Sequence, residues 1–174
     1  MIFRMSFDIL GERESEEGAM KKLGKILAGV CGVLCLAAAV GCTAKKEPVT
    51  AAEFSRHMEQ EGYAILDATE QFDGQVLSAT LAVEQSGAYQ IEFFEVETEQ
   101  QAKIAFEQNK AAFESEKGAA ASRYENNGLN FSVYAQTSNG KYSYVCRVEQ
   151  TFVYANVPEQ HKDAVKSAIK GLGY

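Results

Sequence analysis

Histidine and cysteine are both scarce in this sequence, which excludes several kinds of chemistry. The chain holds two His and four Cys. Neither His57 nor His161 has a histidine at i+4 or a cysteine at zinc spacing. The other cysteines lie at or before residue 42, so Cys146 has no disulfide partner in the rest of the chain. The sequence therefore predicts no metal site, no cofactor and no disulfide framework.

Basic charge is also in short supply. From residue 43 onward, 12 Lys and Arg stand against 19 Asp and Glu. After Lys45 and Lys46 the basic residues are scattered singly along the sequence, whereas a polyanion binder needs clustered cations to neutralise phosphates. We therefore expect an acidic surface and no nucleic-acid partner.

Catalytic motifs are missing as well. No G-x-S-x-G sequence is present, and Ser86-Gly87 and Ser138-Asn139 are typical of turns. Residues 67–74 are rich in oxygen ligands, but Gly74 is the eighth residue of this stretch, and a calcium loop needs glycine at the sixth position. The sequence therefore predicts a protein that is not an enzyme.

Four individual side chains have structural interpretations. His57 borders an apolar helix face and is expected to be partly buried, whereas His161 is expected to be exposed. Cys146 alternates with Tyr142, Tyr144 and Val148, which predicts a small core residue with an inert thiol. Arg147 then points to the opposite face, where it is expected to form a salt bridge.

The N-terminal region has the pattern of an export signal. Lys21, Lys22 and Lys25 precede an uncharged run over residues 26–41, and that run ends at Gly41-Cys42. A basic region, an apolar region and a small-residue cleavage site occur in the order of a signal peptide. Sixteen residues are short for a membrane-spanning helix, which needs about 20. Export is favoured over permanent insertion.

Ala39-Val40-Gly41-Cys42 resembles the lipobox of bacterial lipoproteins, the substrates of the lipoprotein signal peptidase. The family usually has Leu at the position of Ala39. The resemblance implies a diacylglycerol on Cys42, which becomes the mature N-terminus and holds the protein on the extracytoplasmic face of the cell membrane. An ordinary secretory cleavage nearby and a retained anchor helix are the alternatives.

The sequence divides into four parts. Residues 1–19 contain Glu12, Glu14, Glu16 and Glu17 where a leader should be basic, so we expect translation to start at Met20. Residues 20–41 are the predicted signal peptide, and residues 42–50 are the lipidated cysteine and a polar tether. Residues 51–174 are long enough for one globular domain.

Capping and alternation patterns predict the elements of this domain. Thr50 with Glu53 and Thr98 with Gln101 form capping boxes that start helices. Several segments of alternating polarity predict strands, separated by turns such as Asn127-Gly128 and Asn139-Gly140, which favour positive φ. Residues 151–155 are apolar on both alternating sets and predict a central strand. Pro158 is expected in the first turn of the last helix.

The resulting order is α-β-β-β-α-β-β-β-β-α. Strands joined by tight turns are antiparallel, so the predicted fold class is α+β, a meandering antiparallel sheet with about three helices packed on it. This pattern, together with the lipobox, is loosely similar to small uncharacterised lipoproteins of Gram-positive gut bacteria.

Tyrosines are the candidate ligand-binding residues. Tyr134, Tyr142 and Tyr144 fall on neighbouring predicted strands, together with Tyr124 and Tyr154. On one exposed sheet face they would form a platform for a sugar or a peptide. The alternative is ordinary sheet packing, because aromatic residues favour strands.

The function predicted from these observations is a non-enzymatic, membrane-anchored extracytoplasmic domain that binds a small-molecule ligand or a protein. A small cell-envelope hydrolase, whose carboxylates meet only in three dimensions, is one alternative. A structural or assembly role in an envelope complex is another.

Overall fold

The computed structural model describes residues 44–174. The predicted start at Met20, the signal peptide and the lipidation of Cys42 lie outside the described residues. Within residues 44–174, no helix is long and apolar enough to cross a membrane.

One seven-stranded antiparallel sheet forms the centre of the domain. The strands are β1 (Ala64–Asp67), β2 (Ser78–Val83), β3 (Gln90–Glu95), β4 (Ser122–Asn127), β5 (Phe131–Ser138), β6 (Lys141–Val148) and β7 (Thr151–Pro158). The helices are α1 (Ala51–Gln60), α2 (Glu99–Ser115) and α3 (Lys162–Gly171), with short 3-10 helices at Thr69–Phe72 and Glu159–His161. The predicted α+β class and the predicted element order are confirmed.

The strand order is β1-β2-β3-β7-β6-β5-β4. The first three strands form one meander, the chain then crosses to the far edge, and a second meander returns from β4 to β7. Strand β7 therefore lies in the middle of the sheet and pairs with β3 on one side and β6 on the other. The predicted central position of residues 151–155 is confirmed.

Helices cover both faces of the sheet. On one face, Phe54 of α1 and Val165 and Ile169 of α3 pack against Cys146 and Val153. On the other face, Phe106 and Phe113 of α2 pack against Tyr134 and Val145. Val145 and Cys146 are neighbours in one strand and so point to opposite faces. The result is a sheet between two helical layers.

The two capping boxes form as predicted. The Thr50 hydroxyl accepts from the Glu53 N–H, and the Glu53 carboxylate accepts from the Thr50 N–H at 2.9 Å. Thr98 and Gln101 make the same reciprocal bonds at the start of α2. Each box satisfies N–H groups that have no partner inside the helix. Local sequence thus determines where both helices begin.

Two boundary predictions are wrong. Pro158 does not begin a helix: it ends β7, opposite Lys141, and α3 starts four residues later at Lys162. Pairing with β6 extends β7 beyond the segment that its apolar pattern marks. Gly128 lies in a three-residue connection and is not among the residues with positive φ, whereas Asn139 and Gly140 have φ of 52° and 73°, as predicted.

Residues 44–50, the described part of the predicted tether, lie against the domain. The side-chain amide of Asn130 donates to the Lys46 carbonyl at 2.8 Å and its oxygen accepts from the Lys46 N–H at 3.0 Å. The Val49 N–H donates to the Tyr174 hydroxyl at 3.3 Å. The Leu129 N–H donates to the Ala44 carbonyl at 3.3 Å. This segment is therefore fixed to the β4–β5 connection and to the C-terminal residue.

Candidate functional site

The structure does not bring the three candidate tyrosines together. Tyr142 and Tyr144 face α3, and they are 3% and 8% exposed. Tyr134 is fully buried beneath α2, where its hydroxyl donates to Gln136 Oε1 at 3.0 Å. Tyr154 also lies on the α2 side and stacks on Phe113 with ring centroids 5.5 Å apart. The prediction that these tyrosines form a single platform is therefore wrong.

Strand register explains this division. The two-residue turn at Asn139-Gly140 pairs Ser138 with Lys141, so even-numbered residues of β5 share a face with odd-numbered residues of β6. Tyr134 is opposite Val145, and Tyr144 is opposite Ala135. Tyr124 of β4 is also opposite Ala135 and thus joins the side of Tyr144.

A groove of about 660 Å³ opens between the edge strand β4 and helix α3. We call it the basic groove. Its apolar lining is formed by Val133, Ala135, Tyr142, Tyr144 and Ile169. Tyr124, which is 56% exposed, stands on the β4 side. Two of the three predicted candidate tyrosines therefore line a concave site.

Cations from two separate parts of the chain converge on the basic groove. They are Lys46 and the three lysines of α3, Lys162, Lys166 and Lys170. Arg123 also borders the groove, but it alternates with Tyr124 in β4 and is opposite Gln136, so its side chain lies on the α2 side of the sheet. Asp163 has the one carboxylate side chain among the lining residues within the described range. Basic residues that are far apart in the sequence thus form a cluster in space.

The cations of the basic groove have no carboxylate partner within residues 44–174. The four salt bridges found there belong to Lys103, Lys110, Lys141 and Arg147. In the groove, the Lys46 ammonium donates to the Gly173 carbonyl, and the Lys162 ammonium lies 5.7 Å from the centre of the Tyr142 ring. Their charge is therefore available to a ligand.

Burial raises the pKa of two phenols that line the groove. Desolvation raises the pKa of Tyr142 to about 12, and desolvation followed by the neighbouring Cys146 raises the pKa of Tyr144. Cys146 is buried, so the predicted core position is confirmed, and burial raises the pKa of its thiol to about 11. Tyr142, Tyr144 and Cys146 therefore add no negative charge beside the groove at neutral pH.

Two of the remaining single-residue predictions are confirmed and one is wrong. His57 is half-buried, and its Nε2 lies 2.9 Å from the Ala168 carbonyl. Arg147 pairs with Glu99 at 3.1 Å on the α2 side. His161 is half-buried rather than exposed, because its ring packs on Tyr89 with centroids 4.6 Å apart.

The described residues contain no group of three or more His, Cys, Asp or Glu side chains placed to hold a metal ion. Residues 67–74 form a strand end and a 3-10 helix, in which Asp67 accepts from the Thr69 N–H at 2.8 Å. Asp67 therefore closes a turn in the first part of this loop.

The lysine row on α3 was missed by sequence reasoning. Lys162, Lys166 and Lys170 recur at i, i+4 and i+8, a spacing that places them on one side of a helix. That spacing could be read from the sequence alone. The position of Lys46 and of strand β4 beside the row could not, because it depends on strand order.

Comparison of the chain with family models, curated proteins and solved structures finds no match. The chemistry of the site is therefore inferred from its own side chains. A concave surface with an apolar lining and converging unpaired cations is suited to binding an anion.

Proposed function

We propose that this protein is a lipid-anchored extracytoplasmic lipoprotein, and that its domain binds an anionic ligand in the basic groove. One observation carries the binding proposal: four lysines without carboxylate partners among the described residues converge on one groove. The chain from residue 43 onward has seven more acidic than basic residues, so this concentration of positive charge runs against the composition.

Electrostatics supports a ligand rather than a purely structural role. Like charges at i and i+4 on a helix destabilise it by about 0.2–0.5 kcal/mol per pair, and α3 has two such pairs. A row of like charges with no carboxylate partner among the described residues is typical of a functional surface. In a concave site with apolar walls, the field of these cations is also focused on whatever enters.

Binding is favoured over hydrolysis by the acidic residues that are present. The hydrolase alternative needs two carboxylates at one site. Asp163 is the one carboxylate among the groove residues that the structure describes, and it belongs to the exposed first turn of α3. The described groove residues therefore offer cationic contacts to a ligand, and they do not offer two carboxylates that could act as general acid and general base.

The lipobox supports the anchor: the residues Ala39-Val40-Gly41-Cys42 follow a basic region and an apolar run in the order of a lipoprotein signal peptide.

The anchor is tested by Cys42→Ala in a bacterial host, followed by membrane fractionation and mass spectrometry of the N-terminus. We expect the wild type to carry diacylglycerol and to sediment with membranes, and the variant to lose the lipid. Cys31→Ala is the matched control and should behave as wild type, because a bulky Val precedes that cysteine. Lipid attachment unaffected by Cys42→Ala would contradict the anchor.

Anion binding is tested with the purified protein and inorganic pyrophosphate by isothermal titration calorimetry. We expect saturable binding that Lys166→Glu abolishes. Lys117→Glu changes the same charge outside the groove and should retain the wild-type affinity. Equal loss in both variants would show that only net charge matters and would contradict a site in the groove.

A further inference from the structure

We infer that the ligand of the basic groove is a linear polyanion, a chain of polyol or sugar units joined by phosphodiesters. This inference rests on the proposed anion-binding function and specifies its ligand. Three features carry it: the spacing of the lysines on α3, the length of the groove, and the polar groups that line it.

The lysines of α3 form an evenly spaced row. Lys162, Lys166 and Lys170 are each four residues apart, so their Cα atoms step about 6 Å along the helix axis. Consecutive phosphates of a glycerol phosphate chain are joined by six backbone bonds, twice the three of an amino-acid residue, which gives up to about 7 Å. One phosphate can therefore meet each lysine of the row.

The opposite wall has a matching length. From Ser122 to Asn126, strand β4 covers four residue steps, or about 13 Å, and the lysine row covers about 12 Å. Tyr124 lies on the groove side of this wall, and Lys46 adds a further cation from the N-terminal segment. A single small anion would contact a fraction of the four lysine charges, whereas an extended chain lying along the groove can contact all of them.

The neutral polar lining suits hydroxylated units. Ser122, Asn126, Thr137 and Ser167 line the groove among the cations. Hydroxyl and amide groups both donate and accept hydrogen bonds, as the free hydroxyls of a polyol or a sugar require. These side chains would contact the units between the phosphates.

Aromatic exposure argues against single-stranded nucleic acid. Proteins that bind it stack successive bases on successive aromatic rings. Of the tyrosines on β4 and β6 that line the groove, Tyr124 is 56% exposed, whereas Tyr142 and Tyr144 are 3% and 8% exposed. One exposed ring provides one stacking position, which is enough for a sugar or a glycerol unit and too little for a run of bases.

The test uses glycerol phosphate oligomers with one to five phosphates and the full processed protein, titrated by calorimetry. We expect affinity to rise several-fold with each added phosphate up to three and then to level off. For the trimer, the logarithm of the association constant should fall with the logarithm of salt concentration with a slope of about −2, as expected for three neutralised phosphates on a single strand.

Variants assign the contacts. Lys162→Gln and Lys170→Gln should each reduce the magnitude of that salt slope by about 0.7, because each removes one phosphate contact. Lys162→Arg keeps the positive charge and should therefore keep the wild-type salt slope. Lys117→Gln, outside the groove, should also leave the salt slope unchanged. Circular dichroism of each variant confirms that the fold is intact.

Each remaining outcome separates this inference from the proposed function. Affinity independent of oligomer length would overturn the linear polyanion and leave anion binding in place. Oligothymidylate of equal charge binding as tightly as the glycerol phosphate oligomer would overturn the choice of polymer. Failure of every oligomer and of pyrophosphate to bind would overturn the anion site itself.

Discussion

Helices α2 and α3 pack on opposite faces of the same sheet and treat their charges in opposite ways. Lys103 and Lys110 of α2 are both in salt bridges, with Glu99 at 3.0 Å and Glu125 at 2.7 Å. Within residues 44–174, none of the lysines of α3 has such a partner. The comparison separates a helix whose charges are satisfied within the domain from one whose charges face an open groove.

The four salt bridges of the described residues all involve α2 or its C-cap residue Glu116. One of them reaches the buried Arg147, which also donates to backbone carbonyls next to it. The α2 face is therefore organised for stability, and the α3 face combines a packed core with a functional rim. This division predicts that substitutions on the two faces will have separable effects.

The largest effect on stability should come from the core on either face. Phe106→Ala removes a fully buried ring beneath α2 and should lower the free energy of unfolding by about 3–5 kcal/mol. Ile169→Ala beneath α3 should cost about 2–5 kcal/mol and should also weaken anion binding, because Ile169 lines the groove. Urea unfolding and calorimetry measure the two quantities. A loss of anion binding in Phe106→Ala equal to the loss in Ile169→Ala would contradict the division between the two faces.

The next largest effect is a loss of ligand binding without a matching loss of protein stability. Replacing Lys162, Lys166 and Lys170 together by Gln should weaken binding of the glycerol phosphate trimer on the order of 100-fold, at about 1 kcal/mol per lysine near an anionic partner. The same variant should unfold at nearly the wild-type temperature, because relief of two like-charge pairs on α3 offsets the lost helix-dipole interaction of Lys170 and the lost contact of Lys162 with the Tyr142 ring.

The matched substitution on α2 is Lys103→Gln with Lys110→Gln. It should leave trimer binding unchanged and slightly lower the unfolding temperature, because it removes two exposed salt bridges of small value. A loss of trimer binding in this variant equal to that of the triple α3 variant would contradict the comparison.

The smallest effect concerns pH. Hydrogen bonding from Lys103, with the charge of Arg147 adding to it, holds the pKa of Glu99 below its usual range. Because the folded pKa lies below the unfolded value of about 4.3, this stabilisation is present above that value and is lost as pH falls through the folded pKa. Glu99→Gln should therefore lower the unfolding temperature at pH 7, and its deficit should shrink below about pH 4. A deficit that does not change with pH would contradict this assignment.

Much of the fold could be predicted because its signals are local. The capping boxes at Thr50 and Thr98 determine where two helices begin, and the turn at Asn139-Gly140 determines one hairpin. The apolar pattern of residues 151–155 predicted a central strand without any knowledge of its neighbours. The start of the last helix was not predicted, because pairing with β6 keeps Pro158 in a strand.

Less of the candidate site could be predicted, because it depends on which residues meet across strands. The face that each tyrosine occupies follows from register, and a two-residue turn between β5 and β6 already requires Tyr134 and Tyr144 to point apart. The lysine row could have been recognised from its helical spacing. The position of β4 opposite that row could not, since β4 reaches the edge of the sheet through a crossover that leaves no local signal.

The attachment of residues 44–50 has a mechanical consequence. A flexible linker absorbs tension by extending, and the domain beyond it turns freely. Here the Asn130 amide bonds to both backbone polar groups of Lys46, and the Tyr174 hydroxyl accepts from the Val49 N–H. Tension applied at Ala44 would therefore pass directly into the β4–β5 connection and the C-terminal residue.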